Sequence, residues 1–172
     1  KADEDLRFEV ARRGARVAEA PSALLRTLLL DEPRVAEPVI RRPEPVPEAL
    51  LIECAKNGTT AHRGLIARRI DLTTSLADVI LEFGEPEVDK LLLRRDEFQF
   101  SPNAIDLLVS RSTSDVDVQA LLLRRRELEP AHGFMMFWWV SPENRKRILT
   151  RFALDRAIVQ DAVQELYPRV FR

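Results

Sequence analysis

The side chains with the most chemical reach in this chain are arginines set in pairs. Four stretches carry an apolar cluster, two arginines, any residue and then an acid. They are Val39-Ile40-Arg41-Arg42-Pro43-Glu44, Ile66-Ala67-Arg68-Arg69-Ile70-Asp71, Leu92-Leu93-Arg94-Arg95-Asp96-Glu97 and Leu122-Leu123-Arg124-Arg125-Arg126-Glu127. A guanidinium is a planar fork of donors that matches carboxylate and phosphate. The first arginines of successive pairs stand 27, 26 and 30 positions apart, the period of a stacked-helix repeat array. Such an array builds a surface, not a reaction centre.

Reaction chemistry has few carriers here. A nucleophile needs a base beside it, and the candidates are Cys54, His62 and His132. Cys54 shares a helical face with Leu51 and Ala55, which reads as core packing. Two histidines and one cysteine far apart do not make the clustered ligand set of a zinc site. No glycine-rich phosphate loop or dinucleotide fingerprint is present. Acid pairs such as Glu85/Glu87 and Asp115/Asp117 open helices, where capping explains them. Asn57-Gly58-Thr59 matches a glycosylation acceptor but reads as a helix stop. No catalytic residue, cofactor or metal is expected, and the chain reads as a non-enzyme.

Composition agrees. Five glycines and 6% aromatic residues in 172 argue against a strand-rich sandwich or barrel. Leu, Ala, Arg and Glu dominate, and all are good helix formers. A formal net charge of −1 gives no global pull toward nucleic acid or acidic membranes. Basic charge is mostly arginine, with lysine only at positions 1, 56, 90 and 146. A GC-rich coding bias and anion recognition are each sufficient causes. Cys54 is the sole cysteine, so no intrachain disulfide forms and a reducing cytoplasm is expected. The longest apolar run, Phe134 to Val140, is far short of the ~20 residues of a membrane span. No signal peptide is visible. A start at Lys1 without methionine is expected of a piece cut from a longer protein.

The elements that must position the arginines are helices. Leu6, Val10 and Val17 recur at helical spacing before Pro21. Ser22–Leu30 and Pro33–Ile40 follow. Beyond the link Pro43-Glu44-Pro45-Val46-Pro47 the helices pair regularly: Pro47–Lys56 with Ala61–Arg69, Ser75–Phe83 with Glu85–Arg95, Ser101–Ser110 with Asp115–Arg126. Pro130–Val140 and a long helix from Pro142 to about Leu166 complete the set. Asn57-Gly58 and Gly84 stand where helix ends want a left-handed residue. Ser101-Pro102 and Ser141-Pro142 place an N-cap before a first-turn proline, and Asp115 caps its own helix. No convincing strand is found. The spacing predicts an all-α stack of antiparallel helix pairs, with about ten or eleven helices in a single repeat domain over residues 1–172.

Helical geometry divides the arginines. Residues six, three and two before the first arginine share one face at ~100° per residue: Val88, Leu91 and Leu92 in one copy, Val118, Leu121 and Leu122 in another. The second arginine (Arg42, Arg69, Arg95, Arg125) lies over that face, and the first (Arg41, Arg68, Arg94, Arg124) points away. The second is expected to pair with the acid two residues on or with helix C-terminal carbonyls, as a hydrogen-bond ladder between repeats. Copies of the first are expected to align into an exposed cationic row. Pro38 in the slot of Leu91 and Leu121 is expected to kink or shorten its helix. His62, in the slot of Val88 and Val118, reads as a hydrogen-bonded packing residue.

The run Met135-Met136-Phe137-Trp138-Trp139 lies on a helix apolar all round. Burial against the long last helix and a docking patch both account for it. Ile148, Phe152, Val159, Val163 and Leu166 stripe that helix, which either caps the stack or continues into missing sequence or a second subunit. The string Phe137-Trp138-Trp139-Val140-Ser141, with Arg147-Ile148-Leu149, Arg151-Phe152 and the arginine repeats before it, resembles a bacterial family of uncharacterised proteins with HEAT-like helical repeats. The resemblance spans about Leu24 to Leu166. It implies an α-solenoid and supplies no activity, cofactor or catalytic residue.

The expected function is therefore protein binding, as a scaffold or regulator, with Arg41, Arg68, Arg94, Arg124, Trp138 and Trp139 on the partner-binding surface. The alternative is nucleic-acid or polyanion binding through the arginine row, against which near-neutral charge and scarce lysine count. No membrane contact is expected, and self-association would use the C-terminal helix.

Overall fold

The computed structural model describes residues 2–152. They form eleven α-helices, and no strand occurs among them. The chain divides into two units, residues 1–107 and 108–172.

The first unit holds α1 (Ala2–Gly14), α2 (Ser22–Leu29), α3 (Pro33–Ile40), α4 (Glu48–Asn57), α5 (Thr60–Ile66), α6 (Thr74–Leu81) and α7 (Pro86–Leu93); α8 (Pro102–Arg111) runs across the division. Helices α2, α4 and α6 pack side by side, and so do α1, α3, α5 and α7. Each of α2, α4 and α6 also packs on the helix that follows it. The core between them is aliphatic: Leu29, Ile40, Ile66, Leu76, Ile80, Leu81 and Leu92 are all fully buried. Each such side chain contributes about 1.5–3 kcal/mol, so the helices are held by tertiary burial, since single helices of eight residues do not persist in water.

The second unit holds α9 (Val116–Leu122), α10 (Pro130–Met136) and α11 (Pro142–Phe152). Leu122, Met136 and Ile148 are buried there, and α10 packs on α11. The predicted continuation of α11 to about Leu166, with Val159, Val163 and its self-association role, lies outside the described residues.

Punctuation works largely as its chemistry requires. Ser101 Oγ accepts from the Ala104 amide at 3.0 Å, Ser141 Oγ from Asn144 at 3.3 Å, and Asp115 Oδ1 from Asp117 and Val118 at 3.0 and 3.1 Å. Gly84 takes the left-handed conformation, with φ 64°. Gly58 does not: its φ is −82°. Glycine stands there for space, because a Cβ would lie 2.6 Å from the Cys54 carbonyl oxygen. Pro38 does not shorten its helix either, since α3 has 8 residues, as α7 does.

The predicted helices over Ala61–Arg69, Glu85–Arg95 and Asp115–Arg126 run past the observed ends. In each, the last turn tightens to i→i−3 bonds, Arg69 N–H to Ile66 O at 3.0 Å, Arg95 to Leu92 at 3.1 Å and Arg125 to Leu122 at 2.9 Å. The arginine pair therefore sits in the turn beyond the helix.

Candidate partner-binding surface

The two arginines of each pair do different things. In the first unit the second arginines form a ladder to main-chain oxygens. Arg42 Nη2 donates to the carbonyls of Val17 and Ala18 at 3.1 and 3.2 Å. Arg69 Nη1 donates to Ile40 O and to Arg42 O. Arg95 Nη1 donates to Ala67 O at 2.7 Å and Arg69 O at 2.8 Å. Ile40 and Ala67 stand at the ends of α3 and α5, where helix carbonyls have no intrahelical donor, while Val17 and Ala18 lie in the turn after α1.

The acid two residues on completes each group. Asp71 takes a two-point ion pair from Arg69, with both contacts at 2.8 Å. Glu97 meets Arg95 at 2.8 Å and Glu127 meets Arg125 at 2.7 Å. The hydrogen bonds from Arg69 hold the Asp71 carboxyl below its ordinary pKa. The first copy is looser: Glu44, between Pro43 and Pro45, stands 3.5 Å from Arg42 Nε. Nε and Nη1 of Arg42 are buried with no hydrogen-bond partner among the described residues.

The second unit contains a copy that the paired-arginine pattern does not reveal. Arg151 donates to Leu123 O at 2.6 Å and also to Arg125 O. Leu123, like Ala67 and Ile40, is the residue just before a first arginine. Arg151 thus occupies the second-arginine place of a fifth copy, with Thr150 in the first place. Its spacing from Arg125 was the available signal; the missing first arginine hid it. Burial pushes the Arg151 guanidinium below its ordinary pKa.

A further polar position went unread in the sequence. Five residues before the first-arginine place stand Arg63, Gln119 and Arg145. Each reaches back to the end of the helix before its own. Arg63 Nη1 donates to Ala55 O and Gly58 O at 2.8 and 2.9 Å, Gln119 Nε2 to Ser112 O at 2.7 Å, and Arg145 Nε to Phe137 O at 2.9 Å. Arg63 also makes a two-point pair with Glu85, at 2.8 and 2.5 Å, and lies 4.0 Å over the Phe83 ring. Glu85 opens α7 as its N-cap residue, but its carboxylate makes no capping bond; it partners buried Arg63, and that hydrogen bond lowers its pKa.

The first arginines Arg41, Arg68, Arg94 and Arg124 are all exposed. Among the described residues Arg41 pairs only with Glu37, one turn back, at 2.9 Å. Arg68 Nη1 donates to Gly64 O at 3.1 Å, and Arg68 has no carboxylate partner among the described residues. A cleft of about 420 Å³ separates the first two copies, and Arg41, Arg42, Arg68 and Arg69 line it with only Glu37 and Asp71 as acids. A second cleft, of about 400 Å³, opens between Arg68 and Arg95.

The tryptophans divide as well. Trp138 is 68% exposed and stands edge-on to Phe134 and Phe137. Trp139 is half-buried, and its Nε1 donates to Ser112 Oγ at 3.3 Å. Met136 and Val140 face inward while Met135 is exposed, so the block is buried on one side only.

Cys54, His62 and His132 each make a hydrogen bond to the main chain. Cys54 is fully buried, its thiol bonded to Leu29 O at 3.1 Å, and burial pushes its pKa up to about 12. His62 Nδ1 accepts from the Thr59 amide at 3.1 Å, which leaves Nε2 to donate to Asp31 O at 2.9 Å. His132 Nδ1 accepts from the Glu129 amide at 3.0 Å. No group of three or more metal-ligating side chains occurs among the described residues, and no described helix is long and apolar enough to cross a membrane.

Fold and surface together define an all-helical protein whose buried arginines tie the end of one helix to the next. The chain belongs to the family described as an uncharacterised protein conserved in bacteria (DUF2336), whose family model matches residues 35–171. No curated protein and no solved structure matches the chain.

Proposed function

We propose that this chain is a HEAT-like α-solenoid that binds another protein through its first-position arginines, as a scaffold or regulatory module. The side-by-side packing of α2, α4 and α6, and of α3, α5 and α7, supports the solenoid reading. One observation carries the binding reading: within a single pair, Arg69 is buried in the ladder while Arg68 is exposed without a carboxylate. An exposed guanidinium with no carboxylate partner adds little to folding, yet its geometry suits a partner's acid. Trp138 offers an anchor of the type common at interfaces. The reading is of a non-enzyme working in the cytoplasm.

Photo-crosslinking in cells tests it. A crosslinking residue placed at position 68, 94, 124 or 138 is expected to capture the same discrete protein, and one placed at exposed Arg12 on α1 is not. Capture of nothing, or equal capture from position 12, would contradict it. Exposed arginines also suit phosphate, which supports polyanion binding as the second reading. Retention on heparin that falls steeply with salt is the result that would favour it.

A further inference from the structure

The residue between each arginine pair and its acid is exposed in all four copies, and its chemistry changes: Pro43, Ile70, Asp96, Arg126. The arginines repeat while this position varies. Only the first two copies carry an apolar residue there, and both of those residues line the cleft of about 420 Å³. Ile70 is 95% exposed, an unusual setting for a branched apolar side chain unless something covers it. Leu65 adds apolar wall to the same cleft.

Charge there has one sign in excess, four guanidiniums against two carboxylates. Arg42 contributes from below: it is 4% exposed, and its Nη1 has no hydrogen-bond partner among the described residues. A buried charge is screened less than a surface one. Arg41 is held by an exposed one-turn pair with Glu37, which an incoming acid can replace at little cost. Arg68 and Ile70 line the next cleft too, so a ligand laid across them reaches both.

We infer that this cleft takes an acidic segment of a partner protein, one carboxylate on Arg41 and Arg68 and a neighbouring branched apolar residue against Ile70, Pro43 and Leu65. The inference rests on the protein-binding reading above and narrows it to one place and one ligand chemistry. The arginines supply attraction, and the variable position supplies choice among acidic sequences.

Fluorescence anisotropy with the purified chain tests it. The probe is a fluorescein-labelled peptide of alternating glutamate and leucine, set beside its glutamine-for-glutamate and serine-for-leucine analogues and an oligothymidine of similar length. The glutamate–leucine peptide is expected to bind, with each analogue weaker by about tenfold. Arg68→Ala and Ile70→Ser are expected to weaken it by about five- to tenfold, while thermal melts stay at the wild-type temperature. Failure of that peptide to bind, binding unchanged in both variants, or tighter binding of the oligothymidine overturns the inference. Crosslinks that persist from positions 124 and 138 but not from 68 would overturn this cleft alone and leave protein binding standing.

Discussion

Arg95 holds the main-chain oxygen of Arg69 with its own side chain, Nη1 to O at 2.8 Å. Arg69 does the same to Arg42. Each rung is thus a donor through its side chain and an acceptor through its backbone. Removing the Arg69 or Arg95 guanidinium takes the side-chain donor from the carbonyl of Ile40 or Ala67, and an unsatisfied carbonyl costs more than the bond itself is worth. Arg151 repeats the contact on Arg125. If Arg151 is a rung of a fifth copy, Arg151→Ala and Arg95→Ala should each cost about 1–2 kcal/mol, read from urea midpoints. Thr150→Ala, in the first-arginine place, should stay within about 0.5 kcal/mol.

The pair of Arg63 and Glu85 sets an acid limit on stability. Glu85 and Asp71 have pKa values lowered in the fold by hydrogen bonds from Arg63 and Arg69. As pH falls, the unfolded chain takes up these protons first. Their stabilisation is therefore complete above the ordinary carboxylate range of about 4 and is lost as pH drops through the lower folded values. Urea midpoints should be level from about pH 7 to 5 and fall below that. Glu85→Gln should lower stability at neutral pH and flatten the acid fall.

Two glycines predict opposite outcomes. A Cβ at Gly133 would stand 2.5 Å from the Phe152 ring and 3.3 Å from Ile148, so Gly133→Ala should cost about 1–3 kcal/mol through overpacking. A Cβ at Gly64 meets Leu91 and Arg68 at an ordinary 3.8 Å. Gly64→Ala should then be neutral or stabilise by up to about 1 kcal/mol through helix propensity. Thermal melts of the two variants check both signs.

Cys54 should be silent in the native protein. It is fully buried, and burial pushes its thiol up to about 12, so almost no thiolate exists at neutral pH. A thiol reagent at pH 7.5 should label it only as fast as the chain opens, and adding denaturant should expose it at once.

Much of this was legible in the sequence. Ser101, Ser141, Asp115 and Gly84 mark helix ends through local chemistry, and each acts as that chemistry requires. The split between first and second arginines followed from helical angle, even though the pair lies in the turn beyond the helix. The three-residue bonds that end each helix still deliver Arg69 and Arg95 to the buried side. Arg63, Gln119 and Arg145 were not legible, because their place holds Ala36 and Asp89 in the other copies and so shows no repeating side-chain type. Gly58 looked left-handed and is merely crowded. Trp138 and Trp139 look equivalent in a string of apolar residues, and only packing makes one exposed and the other a donor to Ser112.

The sharpest measurement compares neighbours in one pair. Arg68→Ala and Arg69→Ala remove the same group from adjacent positions, and urea unfolding reads both. Arg69→Ala should lose about 2–4 kcal/mol, since two carbonyls and Asp71 lose their partner, while Arg68→Ala should stay within about 0.5 kcal/mol of the parent. Equal losses, or a larger loss at Arg68, would contradict the division of labour between the two arginines.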